Sequence, residues 1–273
     1  MTAAEPVTSP NTAPGPVVPT WRTALVTGAS SGIGREIARQ LAAEGTALVV
    51  VARDAARLEA LAAEVAVAAE VLVADLADPA QLAAVEARLA DTDRPVDLVV
   101  NNAGFGTYGD LATLDLDGET REIAVNVTAV VRLTHAALGG MLARGRGAVL
   151  NVSSVAGLQA TPGNATYGAT KAFVASFGEA VAGELAGTGV SLTTVLPGFT
   201  RTEFAERAGI GGRQIPEPAW QSASDVAAAA IDATRAGRPW LVPGALNKVM
   251  VAAANPVPRT LKRRVAARVA KRM

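Results

Sequence analysis

Short runs of β-branched residues alternate with alanine-rich helical segments from residue 23 to residue 244. The runs are continuously apolar, which predicts strands buried on both faces, as in a parallel sheet covered by helices on each side. We therefore predict an α/β fold: a single doubly wound Rossmann-type domain with a seven-stranded, mostly parallel sheet. The predicted strands are TALVTG, ALVVVAR, EVLVADL, DLVVNNAG, AVLNVSS, SLTTVLPG and PWLVPG. Helices are predicted at 33–44, 55–69 and 79–90.

The uninterrupted alternation of predicted strands and helices argues against a second domain, although 273 residues could form two domains. The first twenty residues are rich in Pro, Thr and Ala and carry no basic residue, so they match no secretory or transit peptide. We expect a disordered N-terminal tail at 1–20, a folded domain at 21–250 and a basic amphipathic tail at 251–273. A cytoplasmic protein is expected, because no run approaches the roughly 20 apolar residues that cross a bilayer.

The composition excludes several kinds of site. The chain has no cysteine, which rules out disulfides, thiolate catalysis and cysteine-based metal sites. His135 is its single histidine, so we expect no histidine-bound metal and no Ser/His/Asp triad. The formal net charge of zero gives no indication of a nucleic-acid partner.

A glycine-rich turn, TGASSGIG at 27–34, follows the first predicted strand. Glycines there let the backbone turn sharply and approach a pyrophosphate, whose charge is stabilised by the amino end of the next helix. The spacing is GxxxGxG rather than GxGxxG, and any tight turn between a strand and a helix also uses glycine. Its place before an amphipathic helix favours a nucleotide site.

Other informative residues lie where the next strands end, the edge at which ligands bind in open parallel sheets. Arg53 follows Ala52 at the tip of the second strand, where a basic residue accommodates a 2′-phosphate, so NADP(H) is favoured over NAD(H). A solvated surface arginine is the alternative. The third strand ends at Asp75 and Leu76, and the fourth at NNAG, whose asparagines either fix the loop or line the cofactor site.

Tyr167 and Lys171 are four residues apart in TYGATKAF, so on a helix they share one face. Alone, such a pair also occurs on many solvated helices. In combination with TGASSGIG, NNAG, Asn126, Ser154 and PGFTRT at 197–202, in this order and spacing, it resembles the short-chain dehydrogenase/reductase family over residues 22–245.

The resemblance implies a catalytic tetrad and a cofactor site. The tetrad is Asn126, Ser154, Tyr167 and Lys171, with Ser154 chosen over Ser153 because the family places its serine thirteen residues before the tyrosine. The implied cofactor-binding residues are Gly28, Ser30, Gly32, Ile33, Gly34, Arg53, Asp75, Leu76, Asn102, Ala103, Gly104, Tyr167, Lys171, Pro197, Gly198, Thr200 and Thr202.

The implied reaction is hydride transfer between NADP(H) and a carbonyl or secondary alcohol. Ser154 and Tyr167 would stabilise the negative charge that grows on the oxygen, and Tyr167 would transfer the proton. We expect Lys171 to lower the pKa of Tyr167 toward neutrality. The alternative is a non-catalytic NADP(H)-binding sensor, which the intact tetrad disfavours.

Residues 205–225 are predicted to form a mobile substrate lid, because they are rich in Gly and Pro. An apolar pocket would favour a hydrophobic ketone, aldehyde or 3-oxoacyl substrate, although the same residues could be ordinary packing. The candidate pocket residues are Phe105, Tyr108, Leu158, Gln159, Phe199, Phe204, Ile210 and Trp220.

The C-terminal segment carries seven basic residues from Arg259 onward, and an apolar stripe formed by Val257, Leu261, Val265 and Val269. Such a helix either makes a peripheral contact with the inner membrane face or packs on the body or a second subunit. The resemblance also implies a homo-oligomer, a dimer or tetramer, assembled partly through the helices that carry Asn126 and Tyr167.

Overall fold

The computed structural model describes residues 21–204 and 217–254. The predictions for 1–20, for residues 205–216 of the lid and for 255–273 fall outside these ranges. One 7-stranded sheet forms the centre, in the order β3-β2-β1-β4-β5-β6-β9, and all its strand pairs are parallel. Its strands are β1 (Thr23–Thr27), β2 (Ala47–Ala52), β3 (Ala69–Val73), β4 (Leu98–Asn101), β5 (Gly147–Val152), β6 (Val190–Val195) and β9 (Trp240–Leu241). The predicted doubly wound sheet is confirmed.

Helices cover both faces of the sheet. They are α1 (Gly32–Ala43), α2 (Ala55–Glu64), α3 (Pro79–Ala90), α4 (Leu116–Ile123), α5 (Val130–Arg144), α6 (Ala165–Glu184), α7 (Ala223–Arg235) and α8 (Ala245–Ala254). Successive strand residues enter opposite cores: Val26 packs with α1, α2 and α7, while Leu25 packs with α3, α5 and α6. This two-sided burial explains why the strands are continuously apolar.

Two boundaries differ from the sequence predictions. The second helix was expected to reach residue 69 but ends at Glu64, because Val65 is extended and the chain enters β3 at Ala69. A separate small sheet, in which β7 (Thr200–Arg201) pairs with β8 (Gln221–Ser222), was not predicted. It joins the segment after β6 to the start of α7.

A π-helical turn at Ala124–Ala129 joins α4 to α5, so that residues 116–144 form one continuous helix. By length and composition this helix could cross a membrane, with a mean hydropathy of 1.3 in its most apolar window. Core helices of soluble proteins pass the same test, and α5 packs Leu133 and Met141 in the core beneath the sheet. The helix therefore belongs to the α/β domain.

Candidate active site

The glycine-rich turn connects β1 to α1 and requires glycine for two reasons. Gly28 (φ +67) and Gly32 (φ +57) adopt left-handed backbone conformations, which L side chains rarely tolerate. Gly34 has no such φ, but a Cβ there would lie 2.2 Å from Asn102 Nδ2 and 2.5 Å from the Gly28 carbonyl oxygen. No acidic residue lies in the first turn of α1, so its amino end is electrostatically suited to an anion.

Asn102, one of the two NNAG asparagines, fixes this turn. Its Nδ2 donates to the Thr27 carbonyl at 2.9 Å, and the Thr27 hydroxyl accepts from the backbone N–H groups of Asn102 (3.0 Å) and Ala103 (3.1 Å). Asn101 lies deeper and donates to Asn151 Oδ1 at 2.9 Å. The asparagines therefore hold β1, β4 and β5 in register at the edge where the turn lies.

The tips of β2 and β3 place the next predicted residues along the same edge. Arg53 is exposed directly after β2, whereas Arg57, one turn into α2, is held by Glu203 with Nη1 2.9 Å from Oε2. Asp75 forms an ion pair with Arg121 of α4. Leu76 is 7% exposed and packs in the core on the α3 side.

The two serines after β5 face different partners. The Ser153 hydroxyl donates to the Lys171 carbonyl at 2.7 Å and thus fastens β5 to α6. The Ser154 hydroxyl donates to the Pro197 carbonyl at 3.5 Å, accepts from the Ala156 N–H at 3.1 Å and lies close enough to the Tyr167 phenol to lower its pKa. The serine assigned to the tetrad is therefore the one in contact with Tyr167.

Lys171 is 5% exposed, and its Nζ donates to the Val152 carbonyl at 2.9 Å and lies 5.6 Å from the centroid of the Tyr167 ring. Burial lowers the pKa of Lys171 to about 8 and raises the pKa of Tyr167 to about 12. The expectation that Lys171 lowers the pKa of Tyr167 is not met here. The hydrogen bond with Ser154 lowers it, and burial outweighs that effect.

Asn126 lies in the π turn and is 1% exposed. Its Nδ2 donates to the Phe105 carbonyl at 2.8 Å and to Thr170 Oγ1 at 3.1 Å, while its Oδ1 accepts from the Phe105 N–H at 3.2 Å. A Cβ on Gly104 would lie 3.0 Å from Asn126 Oδ1 and 3.3 Å from Lys171 Nζ. Three tetrad-related segments, the loop after β4, the π turn and α6, therefore meet at Gly104.

The predicted nicotinamide loop follows β6 and closes the site. The Pro197 carbonyl accepts from the Val155 N–H at 3.0 Å, and Thr200 Oγ1 donates to the Gly198 carbonyl at 3.1 Å. A Cβ on Gly32 would lie 3.1 Å from Thr202 Cγ2, so this loop touches the glycine-rich turn. Ser30 and Ile33 are partly buried in the same turn.

The candidate pocket residues do not form one group. Phe204 packs against Tyr167 with ring centroids 5.3 Å apart, whereas Phe199 pairs with Trp220 at 5.8 Å and is 42% exposed. Leu158 packs with Val242 in a small separate core. Ile210 lies outside the described residues. Phe204 is thus the aromatic side chain that the structure places beside the tetrad.

Sequence reasoning missed two buried carboxyl groups next to the tetrad. Glu119 is 4% exposed and Glu122 is 0% exposed, both on α4. Burial, with a smaller contribution from the nearby Glu119, raises the pKa of Glu122 to about 7. The available signal was their spacing in GETREIAVN, which puts Glu122 one helical turn before Asn126.

Comparisons with known proteins agree with this architecture. A family model described as short chain dehydrogenase matches residues 22–210. The granaticin polyketide synthase putative ketoacyl reductase 1 of Streptomyces violaceoruber is 40% identical over 204 residues, which cover 73% of this chain and 73% of that protein.

Solved structures are similar over most of the chain. A short-chain dehydrogenase from Sphingobium yanoikuyae in complex with NADPH is 40% identical with a TM-score of 0.76, covering 86% of this chain and 93% of that one. The bulky-bulky ketone specific alcohol dehydrogenase from Comamonas testosteroni is 32% identical with a TM-score of 0.73, covering 86% and 92%.

Proposed function

The chain belongs to the short-chain dehydrogenase family, and from that premise we propose that it reduces a hydrophobic ketone, aldehyde or 3-oxoacyl compound with NADPH. Members of this family are oxidoreductases that act on C=O and CH–OH groups. The observation that carries the proposal is the grouping of Ser154, Tyr167 and Lys171 at the carboxyl end of β5, where Ser154 lowers the pKa of the Tyr167 phenol and Lys171 is buried beside the ring.

The described residues fit a dinucleotide. The turn at Gly28, Gly32 and Gly34 leaves no room for a Cβ at Gly34 and places the amino end of α1 where a pyrophosphate would be stabilised. Asp75, Leu76 and residues 102–104 would line the adenosine half, and Pro197, Gly198, Thr200 and Thr202 the nicotinamide half. Bound there, NADP(H) would supply or accept the hydride.

Arg53 supports the preference for NADP(H). It is exposed at the tip of β2, and it forms no ion pair with any residue of 21–204 or 217–254. Arg57 is engaged by Glu203 instead. Arg53 is therefore the cation that would bind a 2′-phosphate.

The pKa values favour reduction. With a pKa of about 12, the Tyr167 phenol keeps its proton at neutral pH and can give it to an oxygen that gains negative charge. Ser154 would donate a second hydrogen bond to the same oxygen, where preorganised donors stabilise the transition state more than the ground state. Lys171, with a pKa of about 8, retains most of its charge at neutral pH and would bind the nicotinamide ribose.

The substrate class rests on the apolar contact of Phe204 with Tyr167, which places an aromatic ring beside the Tyr167 ring. The ketoacyl reductase and the bulky-ketone alcohol dehydrogenase among the similar proteins point in the same direction by name. An apolar wall favours a carbonyl flanked by hydrocarbon over a sugar.

We further propose a cytoplasmic homo-oligomer. Ile123, at the end of α4, is 44% exposed, and Phe173 on α6 is 41% exposed, so apolar side chains project from the helices that carry or adjoin Asn126 and Tyr167. Burial of such residues between subunits would stabilise an assembly. A peripheral membrane contact through residues 251–273 is the remaining proposal for the basic tail.

The test follows NADPH absorbance with a panel of ketones, aldehydes and 3-oxoacyl thioesters, and compares wild type with Tyr167→Phe. We expect turnover that is lost in the variant while NADPH binding, measured by fluorescence, is retained. NADPH binding without turnover on the whole panel would instead support a sensor, and absence of binding to either NADPH or NADH would refute the proposed function.

A further inference from the structure

Glu122 is fully buried, yet it faces the tetrad. We propose that Glu122 is a positioning residue of the active site, a carboxylate that keeps the protons of Lys171 and Tyr167 in place from behind Asn126. The inference deepens the proposed reductase function and rests on it. Glu122 does not contact the reacting atoms itself. It acts on them only through Asn126, Lys171 and Tyr167.

Its position on α4 brings it to the tetrad. Glu122 lies four residues before Asn126, so the two side chains share one helix face, and Glu122 Oε1 is 3.5 Å from Asn126 Nδ2. Asn126 Oδ1 and Lys171 Nζ both line the space beside Gly104, at 3.0 and 3.3 Å from the position of a Cβ there. The Asn126 amide therefore lies between the Glu122 carboxyl group and the space beside Gly104 that Lys171 Nζ also lines.

The remaining contacts of Glu122 hold it in place. Thr107 donates to Glu122 Oε2 from its N–H at 3.1 Å and its hydroxyl at 3.3 Å. The neighbouring Glu119 accepts from the hydroxyls of Thr107 and Thr166. These bonds fix both carboxyl groups between the loop after β4 and the first turn of α6.

The charged groups around Glu122 come from two elements. On its own helix the neighbour is Glu119, and from α6 the neighbours are Lys171 and Tyr167. Arg121, on the same helix, forms its ion pair with Asp75 rather than with Glu122. Among the described residues, Lys171 is the cation whose charge acts on Glu122.

The electrostatic effects act in both directions. Burial and, to a smaller degree, Glu119 raise the pKa of Glu122 to about 7, while the hydrogen bonds from Thr107 and then the charge of Lys171 lower it. Glu122 in turn raises the pKa of Lys171 and that of Tyr167. Above neutrality the ionised carboxylate thus opposes loss of either proton.

A role limited to anchoring Thr107 would need only a hydrogen-bond acceptor, which glutamine also supplies. Glu122→Gln separates the two roles, since it keeps the size and an acceptor but removes the charge. Glu119→Gln is the matched control: it removes an equally buried carboxyl one turn away, and Glu119 is not a source of the shifts at Lys171 or Tyr167.

The readout is NMR titration of the free protein, which needs no turnover. Lysine labelled with 13C at Cε gives few signals, because the lysines are Lys171, Lys248, Lys262 and Lys271. With 13Cζ-tyrosine there are only 2 signals, from Tyr108 and Tyr167, which Tyr108→Phe assigns.

In Glu122→Gln we expect the titration midpoints of Lys171 and Tyr167 to fall by about one pH unit, as removal of a neighbouring charge predicts. Glu119→Gln should move them by much less, and Glu122→Asp, which keeps the charge, should restore values near wild type. Unchanged midpoints in a folded Glu122→Gln variant, or equal shifts in the two glutamine variants, would overturn the proposal.

Wild type provides a second test if Glu122→Gln does not fold. The Lys171 Cε signal should then show an additional inflection near pH 7, as Glu122 ionises, and a single inflection would contradict the coupling. If turnover is found, the alkaline loss of NADPH-dependent reduction should move to lower pH in Glu122→Gln. Failure of the proposed function would remove this kinetic result but leave the NMR midpoints as predicted.

Discussion

Replacing Lys171 by methionine should stabilise the protein at neutral pH although it removes a member of the tetrad. The Lys171 side chain is 5% exposed, and burial lowers its pKa from 10.5 to about 8. That interval corresponds to about 3 kcal/mol against the charged form. Methionine has a similar length and no charge, but it loses the bond from Nζ to the Val152 carbonyl, worth about 1 kcal/mol. The expected net gain in the free energy of unfolding is about 2 kcal/mol near pH 7.

The sign of this effect depends on pH. Between pH 8 and 10.5 the unfolded lysine holds its proton while the folded lysine has lost it, so wild-type stability rises with pH across this interval. Above pH 10.5 the buried lysine is neutral, so burying it no longer costs the free energy of a buried charge. The variant then differs from wild type only by the lost hydrogen bond. The variant should then be less stable than wild type by about 1 kcal/mol.

Urea unfolding near pH 7, 9 and 10.5 measures the difference directly. Lys248→Met is the control, because Lys248 is exposed on α8 and its replacement removes a lysine side chain without altering the buried site. A Lys171→Met variant that is less stable than wild type at pH 7, or a stability difference that stays constant with pH, would refute the reasoning.

Three further predictions concern other parts of the site. The pKa of Glu122 is raised from 4.5 to about 7, so between these pH values the folded state binds more protons than the unfolded state. Wild type should therefore lose about 3 kcal/mol of unfolding free energy as the pH rises from 4.5 to 7, and Glu122→Gln should not. Urea unfolding at these two pH values measures the difference. Gly34→Ala should lower NADPH affinity at least about tenfold and reduce the melting temperature, because its Cβ would lie 2.2 Å from Asn102 Nδ2. Gly139→Ala, with nothing within 4 Å, should do neither, and normal NADPH binding by Gly34→Ala in a fluorescence titration would contradict the assigned turn. Arg53→Glu should weaken NADPH binding by about tenfold or more and leave NADH binding nearly unchanged, while an equal loss for both would argue against a 2′-phosphate contact.

The sheet was predictable because a buried parallel strand has a simple signature. Residues 24–26 of β1 and 48–51 of β2 each meet one of two apolar cores, which leaves no polar position among them. The end of α2 was not predictable, because Val65 and Ala69 suit a helix or a strand equally well in isolation and the pairing of Ala69 with Leu48 decides. Local sequence does not contain that partner.

The site divides in the same way. The face shared by Tyr167 and Lys171 follows from their spacing on one helix. The rise in the pKa of Tyr167 does not follow from this spacing, because it depends on burial and on Glu122, 45 positions earlier in the chain. Likewise Glu122 looks like an ordinary helix-surface residue in the sequence, and only the fold buries it where the charge of Lys171 acts on it. Long-range packing, rather than the local sequence motif, determines the pKa values of Tyr167 and Glu122.

The π turn at Ala124–Ala129 also bears on how the gene for this protein can change over time. A π turn holds one more residue than an α turn, so it offsets the helix face that follows by roughly 100°. Deleting a single codon there would restore α geometry and leave Leu133 and Met141 facing the core, because the wider turn is what accommodates the extra residue. Deleting a codon within α5 instead would rotate the residues beyond it by roughly 100° and carry Met141 away from the core. The length of this helix can therefore change by one residue at the π turn, whereas a change elsewhere along it would require the core beneath it to change as well.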